Sequence, residues 1–359
     1  MSKLKKLPLS FDVESKRILK KAIDANRLLG ELKGIVQKIP NKAILLNTLT
    51  LTEAKDSSGI ENIITTHDEL YKADLFSEQI KNRNLKEVLG YSEALEFGYG
   101  FVKEKDIITV NLLVKLQQII TGIGTGIRKQ AGTILKNDQT GEVVYEPPQD
   151  YNDVIDLLSN IEKYINEPED DLDPLVRMAI IHYQFESIHP FYDGNGRTGR
   201  ILNILYLVLN GLIDLPVLYL SRYIIRNKDR YYELFRLVNR EDKWDDWISY
   251  ILDGIIETSS ETIYTVNEVL DLMSDFKYML RDKMKLPYYS KDLLESLFKH
   301  PYTKIEYLAS DLKIHRNTAG KYLNELSSMD EKYRFINKRI LGKNNYYVNV
   351  PLLEIFLKK

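Results

Sequence analysis

Twelve consecutive residues, His189 to Arg200 (HPFYDGNGRTGR), bring a proton acceptor, a carboxylate, three glycines and two guanidiniums to one helix start. Pro190 disfavours helical backbone at His189, so a helix must end there. A histidine at such an exit can project into a cleft, and its ordinary pKa of about 6.5 suits proton abstraction near neutral pH. Gly194 and Gly196 let backbone N–H groups face an anion without side-chain interference. The helix that follows from Arg197 adds its unpaired N–H groups and positive dipole end. Arg197 and Arg200 suit bidentate phosphate contacts. Asp193 can hold a hard divalent ion such as Mg2+ between phosphates, and Phe191 reads as the apolar anchor of the loop. These are the parts needed to move a phosphoryl or nucleotidyl group onto a nucleophile.

Helical periodicity supplies the frame that must position them. Residues 85–103, 106–121, 171–187 and 197–209 carry apolar side chains at three- and four-residue spacing, with Pro174 near a helix start where it is tolerated. Residues 122–150 break the rhythm. Two β-type runs, 132–135 and 142–145, flank a turn at 137–141, which predicts a β-hairpin. Residues 261–285 form a long helix joining the body to a tail, and Leu286-Pro287 marks the boundary. In the tail, 305–312 and 315–326 read as a helix-turn-helix around Lys313-Ile314, its second helix opening with Arg316, Asn317 and Thr318. Strands at 335–341 and 346–350, joined by 342–345, then read as a wing. The whole resembles a winged helix, a common DNA-reading unit. The tail is only mildly basic, which leaves DNA binding open beside protein contact or a structural cap.

The chain has 359 residues, room for two or three domains, with a net charge of -2 and an ordinary globular composition. From Pro287 onward there are 13 Lys+Arg against 8 Asp+Glu, and elsewhere 37 against 44, so a basic tail sits on an acidic body. Cysteine is absent, which excludes disulfides, thiolate metal sites and a cysteine nucleophile. The N-terminus lacks the apolar core of a signal peptide. The apolar stretch 201–220 is interrupted by Asn203, Asn210, Gly211, Asp214 and Pro216, so it reads as a buried helix and turn rather than a membrane span. A cytoplasmic protein is expected.

HPFYDGNGRTGR fits H-x-F-x-D/E-G-N-G-R-x-x-R at every fixed position, and by it the chain resembles the Fic (filamentation-induced-by-cAMP) family. The resemblance implies transfer of AMP from ATP to a Ser, Thr or Tyr hydroxyl of a target protein. In that scheme His189 deprotonates the hydroxyl, Asp193 carries Mg2+, and Gly194, Asn195, Gly196, Arg197, Thr198, Gly199 and Arg200 cradle the phosphates. Asn195 is expected to stabilise the α-phosphate. Upstream, Ser57-Ser58-Gly59-Ile60-Glu61-Asn62 resembles the family's inhibitory pattern S/T-x-x-x-E-G/N (class II). This implies that Glu61 pairs with Arg200 and competes with the γ-phosphate. Tyr232 and Asn239 match the family's adenine-side helix, and the hairpin around 132–145 matches its target-docking flap.

The expected fold is therefore mainly α. An N-terminal helical region (1–105) carries the inhibitory helix at about 53–70. A Fic-type core with its flap (106–258), a connecting helix (259–286) and a winged domain (287–359) follow. Three alternatives to self-inhibited AMP transfer stay open. Glu61 could position water for AMP removal, the tail could bind DNA through 303–349 beside a nucleotide-sensing core, or another group such as phosphate could be transferred. A homodimer is a further expectation.

Overall fold

The computed structural model describes residues 4–76, 82–136, 143–330, 334–341 and 344–357, so the turn expected at 137–141 lies outside the described residues. The fold is mainly helical. Its first part runs α1 (Lys16–Val36), α2 (Ala43–Ile60), α3 (His67–Leu75), α4 (Arg83–Lys105) and α5 (Val110–Thr121). A short hairpin follows, β1 (Leu135–Lys136) antiparallel to β2 (Val143–Tyr145), in register Leu135 opposite Tyr145. The helices α6 (Tyr151–Asn166), α7 (Pro174–Ile188), α8 (Asn195–Leu209), α9 (Leu220–Arg226), α10 (Lys228–Glu241) and α11 (Trp244–Lys277) complete the body.

The hub is the pair α7 and α8. Both bury nearly every side chain, so neither shows the one-sided apolar stripe of a surface helix. The layers around them are α4 and α5 against α8, and α6 and α11 against α7. Local chemistry sets where α7 starts: Pro174 occupies its first turn, and the Asp173 carboxylate accepts from the Leu175 N–H.

The tail begins after a π-helical turn, Tyr278–Lys283, that ends α11. It comprises α12 (Lys291–Lys299), β3 (Tyr302–Thr303), α13 (Ile305–Leu312), α14 (Arg316–Ser327), β4 (Ile336–Leu341), β5 (Asn344–Asn349) and α15 (Val350–Leu357). The strands form an antiparallel sheet in the order β3-β5-β4. Lys313, in the left-handed region at φ 53°, caps α13 and makes the turn, and His315 caps α14 by accepting from the Asn317 N–H.

Several boundaries differ from those expected. The inhibitory helix expected at about 53–70 is two helices, since α2 ends at Ile60 and α3 starts at His67 behind the Thr66 capping box. The helix after the motif starts at Asn195 rather than Arg197, because Gly194 turns the chain at φ 81° immediately before it. The helix expected from Asp106 starts at Val110. Asp106 is the left-handed cap of α4, and Thr109 caps α5 by accepting from the Leu112 N–H. The connecting helix is longer than 261–285: α11 is one helix of 34 residues that runs through 258/259. In its polar run the Thr258, Thr262 and Thr265 side chains are buried, and their hydroxyls are satisfied by donating back to the carbonyls of Gly254, Thr258 and Glu261. The last strand stops at Asn349, whose side chain accepts from the Leu352 N–H and starts α15. Among the described residues no helix is long and apolar enough to cross a membrane.

Candidate active site

The motif loop is held from three sides. α7 ends at His189, whose φ of 49° turns the chain outward while its N–H still donates to Phe185 O at 3.1 Å. Arg128, 1% exposed, grips that turn: Nε donates to His189 O at 2.8 Å, and Nη2 donates to Ile188 O at 3.2 Å and to Pro148 O. Gln117 Nε2 donates to Asp193 O at 3.0 Å. The Asn195 amide folds back on Phe191, accepting from its N–H and donating to its carbonyl, both at 2.8 Å.

Both ends of the Asn195 amide are taken up within the loop, so the side chain holds the cradle's shape. The first-turn N–H groups of α8 have no partner within the helix. Thr198 is likewise buried, its hydroxyl donating to Gly194 O at 2.8 Å. Gly199 faces inward, since a Cβ there would meet Glu186 Oε1 at 2.3 Å.

Glu61 sits at the C-terminal cap of α2 and reaches the cradle. Its Oε1 is 2.9 Å from Arg200 Nη2, and its Oε2 makes an ion pair with Arg197 Nε at 2.6 Å. The expected pair was Glu61 with Arg200 alone; the carboxylate bridges both arginines. Ser57, one turn earlier on the same face, accepts from Arg200 through Oγ at 2.7 Å and through its carbonyl at 3.0 Å. Asn62 stands at φ 62°, a conformation open to Gly or Asn at low cost, which accounts for the G/N alternative in the inhibitory pattern. Gly196 matters for the same contact: a Cβ there would lie 2.7 Å from both Glu61 Oε1 and Arg200 Nη1. The carboxylate, or a phosphate in its place, approaches the helix because that side chain is missing.

Two residues outside the sequence reading complete this shell. Glu87 of α4 pairs with Arg197 Nη1 at 3.1 Å and with Arg83 Nε at 3.0 Å. Asp193 lies 3.2 Å from Arg197 Nη2, so Arg197 carries three carboxylate neighbours. Arg128 is the other. A lone arginine in a glycine-rich stretch was its only trace in the sequence.

Burial tunes the charges. It depresses the His189 imidazole to about 4, Arg128 adding to this while the Glu186 carbonyl, Glu61 and Asp193 oppose it. His189 is thus neutral near pH 7 and able to take a proton. Burial raises Glu186, on α7 beneath the cradle, to about 7, against the pull of Arg200. Glu53 of α2 rises to about 8 through burial, with Ser221 and Tyr91 hydrogen-bonded to it. Burial would lower Arg200, but Glu61 and Glu186 hold it above its ordinary range.

On the far side, Tyr232 and Asn239 lie two turns apart on one face of α10, Tyr232 exposed and edge-on to the Tyr231 ring at 5.3 Å. The hairpin base is locked by Gln149, which accepts from Gly132 N and donates to Thr133 O. Tyr145 packs edge-on against Phe235 of α10 at 5.6 Å. As to a cation, Asp193 offers one largely exposed carboxylate beside the cradle, and the described residues hold no cluster of three or more metal-capable side chains. That fits a hard cation completed by phosphate oxygens and water, not a caged metal.

Comparison with known proteins follows this geometry. Residues 19–100 match the Fic/DOC family N-terminal profile, 107–207 the Fic/DOC family profile, and 272–352 the C-terminal domain of SoFic-like protein adenylyltransferases. The chain is similar to protein adenylyltransferase Fic of Drosophila yakuba, 28% identical over 157 residues, covering 44% of this chain and 30% of that protein. It is similar to protein adenylyltransferase fic-1 of Caenorhabditis elegans, 32% identical over 141 residues, 38% of this chain and 27% of that one. It thus spans about a third or less of these relatives' length. A Fic family protein from Desulfovibrio desulfuricans G20 shares the fold over 95% of this chain and 98% of its own, with a TM-score of 0.62 at 18% identity. A Fic-1 structure from C. elegans does so over 71% and 74%, with a TM-score of 0.52 at 22% identity.

Proposed function

Since the chain belongs to the Fic family, we propose that it is a protein adenylyltransferase restrained by its own Glu61. The observation that carries this reading is the bridge from Glu61 to Arg197 and Arg200 at the mouth of the α8 cradle. A carboxylate seated on both cations occupies ground that the phosphates of ATP need.

Transfer then proceeds in one displacement. The target's Ser, Thr or Tyr hydroxyl gives its proton to neutral His189 as its oxygen bonds to the α-phosphorus. The bond from the α-phosphorus to the bridging oxygen breaks, and pyrophosphate leaves. The N–H groups of Asn195, Gly196 and Arg197 face the developing charge, Arg200 takes the γ-phosphate, and the Asn195 and Arg128 side chains keep the loop in shape. Mg2+, held by Asp193 with phosphate oxygens, would neutralise charge on the departing phosphates. Tyr232 and Asn239 flank the base. The target docks along the hairpin by strand pairing.

The test compares wild type, Glu61→Gly, and Glu61→Gly/His189→Ala, each with Mg2+ and α-labelled ATP. Label on protein in Glu61→Gly, far above wild type and lost in the double variant, is expected. Equal labelling of wild type and Glu61→Gly would refute self-inhibition. A second reading rests on the partial exposure of Glu61, which leaves it able to orient water for AMP removal. Wild type, but not Glu61→Gly, would then strip AMP from a pre-labelled target.

A further inference from the structure

Glu61 stands at a corner. α2 leads into it, a short connection follows, and α3 leads away. Tilting or unwinding the end of α2 would free the arginines, and that motion carries one or both flanking helices. What holds those helices therefore sets how readily Glu61 leaves.

Both are held by the C-terminal module. On α2, Asn47 Nδ2 donates to Lys299 O at 3.2 Å and lies 3.0 Å from His300 Nε2. Ile355 and Phe356 of α15 line one cavity with Leu49 and Thr52 of α2. On α3, Asp68 accepts from Tyr302 Oη at 2.6 Å, and the Leu75 carbonyl accepts from Lys304 Nζ at 2.9 Å. Tyr71 of α3 stacks on Tyr302 at 5.4 Å, and Tyr302 stacks on Tyr346 at 5.7 Å. Leu51 of α2 and Leu75 of α3 join these tyrosines and Val348 in one buried cluster, separate from the main core. Small satellite clusters of this kind open before the core does.

The module also has an independent attachment. α11 runs from the core into it, and Phe276 near the end of that helix packs on Phe298 and Phe335. The tail can thus part from α2 and α3 while staying fixed to the body.

We infer that the C-terminal module is a clamp on the inhibitory corner, gripping α2 before Glu61 and α3 after it through the Tyr71–Tyr302–Tyr346 stack. The inference rests on the inhibitory reading of Glu61. It gives the helix-turn-helix tail a task that needs no ligand: it stiffens the restraint, and whatever strains the docking face weakens it.

The test uses the full chain. Tyr302→Ala removes the centre of the stack, and Tyr302→Phe removes only the hydrogen bond to Asp68. AMP transfer is measured for each with Glu61 present and in the Glu61→Gly chain, with hydrogen exchange across residues 53–62. The clamp predicts a several-fold rise in transfer for Tyr302→Ala, a smaller rise for Tyr302→Phe, and no further rise in the Glu61→Gly chain. It also predicts faster exchange at 53–62. Unchanged transfer in Tyr302→Ala beside an active Glu61→Gly would overturn the clamp alone, as would an equal rise in the Glu61→Gly chain. If Glu61→Gly itself transfers nothing, the inhibitory reading fails, and exchange then decides the mechanical part: unchanged protection at 53–62 in both Tyr302 variants overturns it. Should Tyr302→Ala unfold, Tyr302→Phe carries the same comparisons.

Discussion

Two helix ends meet at Glu61, and they differ in sign. The start of α8 offers unpaired N–H groups, a positive dipole end and the guanidiniums of Arg197 and Arg200. The end of α2 offers a negative dipole end with no basic residue in its last turn, and its Ser57, Ser58 and Gly59 carbonyls accept from Arg200, from Glu61 and Ile63, and from Asn62. Glu61 belongs by sequence to the second end and by electrostatics to the first. A carboxylate at a helix C-terminus is disfavoured where it stands, and here it is stabilised by the neighbouring helix. That contrast teaches what kind of restraint this is. The α8 end is a general anion site, and Glu61 fills it as an anion carried on a helix that gains nothing locally from the charge. A triphosphate that brings more charge can compete for the same ground.

The strongest way to break the comparison is to remove the receiving end. Arg200→Ala in the Glu61→Gly chain should lower transfer by about a hundredfold, as loss of one key charge-stabilising donor does. It should not mimic Glu61→Gly, because in the proposed mechanism Arg200 serves inhibitor and nucleotide alike. Steady-state rates on the two chains decide this, and full activity without Arg200 would contradict the shared site.

The next test uses pH. His189 sits at about 4 because it is buried. The active, neutral form is present above that value and is lost as pH falls through it. Between pH 7 and pH 5 the kcat/KM of Glu61→Gly should change less than about twofold, whereas a histidine at about 6.5 would cost about thirtyfold. Stability carries the same sign. His67, His182, His189 and His300 are all depressed, to about 4, 3, 4 and 4, and burial is the leading cause in each. Below pH 6.5 the unfolded chain takes up protons that the folded chain refuses, so stability falls as pH drops from 6.5 towards 4. Thermal melts between those values check it.

The donating end can be loosened without touching its charge. Asn62→Val forces a β-branched residue to φ 62°, at about 1–2 kcal/mol. Transfer should rise about fivefold in the Glu61 chain and not at all in Glu61→Gly, while Asn62→Gly should behave as wild type. The smallest effect sharpens the electrostatic side. Glu87→Gln leaves Arg197 with one carboxylate fewer, so Arg197 holds Glu61 harder. Basal transfer should fall about threefold, while ATP affinity in the Glu61→Gly chain should rise. A loss of affinity would assign Glu87 to scaffolding.

Much of the site could be read without coordinates, because its parts are local. Residues 189–200 form one loop and one helix start, and every step there follows from backbone rules at Pro190, Gly194 and Gly196. Ser57, Glu61 and Asn62 were legible only through their resemblance to the family's inhibitory pattern, since a lone helix-end glutamate carries no signal of its own. Arg128 and Glu87 were not legible, since neither belongs to a pattern and each acts through a contact to a distant carbonyl or guanidinium. The connecting helix was expected to begin at 259, yet α11 runs unbroken through that point, with the Thr258 and Thr262 hydroxyls donating to carbonyls of the preceding turn.

By itself, then, the sequence determined which candidate groups stand together in residues 189–200 and where the loop that bears them turns. These depend on bond geometry and near neighbours. Only the tertiary structure decided that Glu61 bridges both arginines, that Asn195 is taken up by Phe191, and that Arg128 holds the His189 turn. It also decided that the tail docks on α2 and α3. Apart from the Asn195–Phe191 pair, which lies within the loop, those contacts join residues far apart in the chain, and their distances follow from how helices pack around α7 and α8, a many-body outcome that no local spacing encodes.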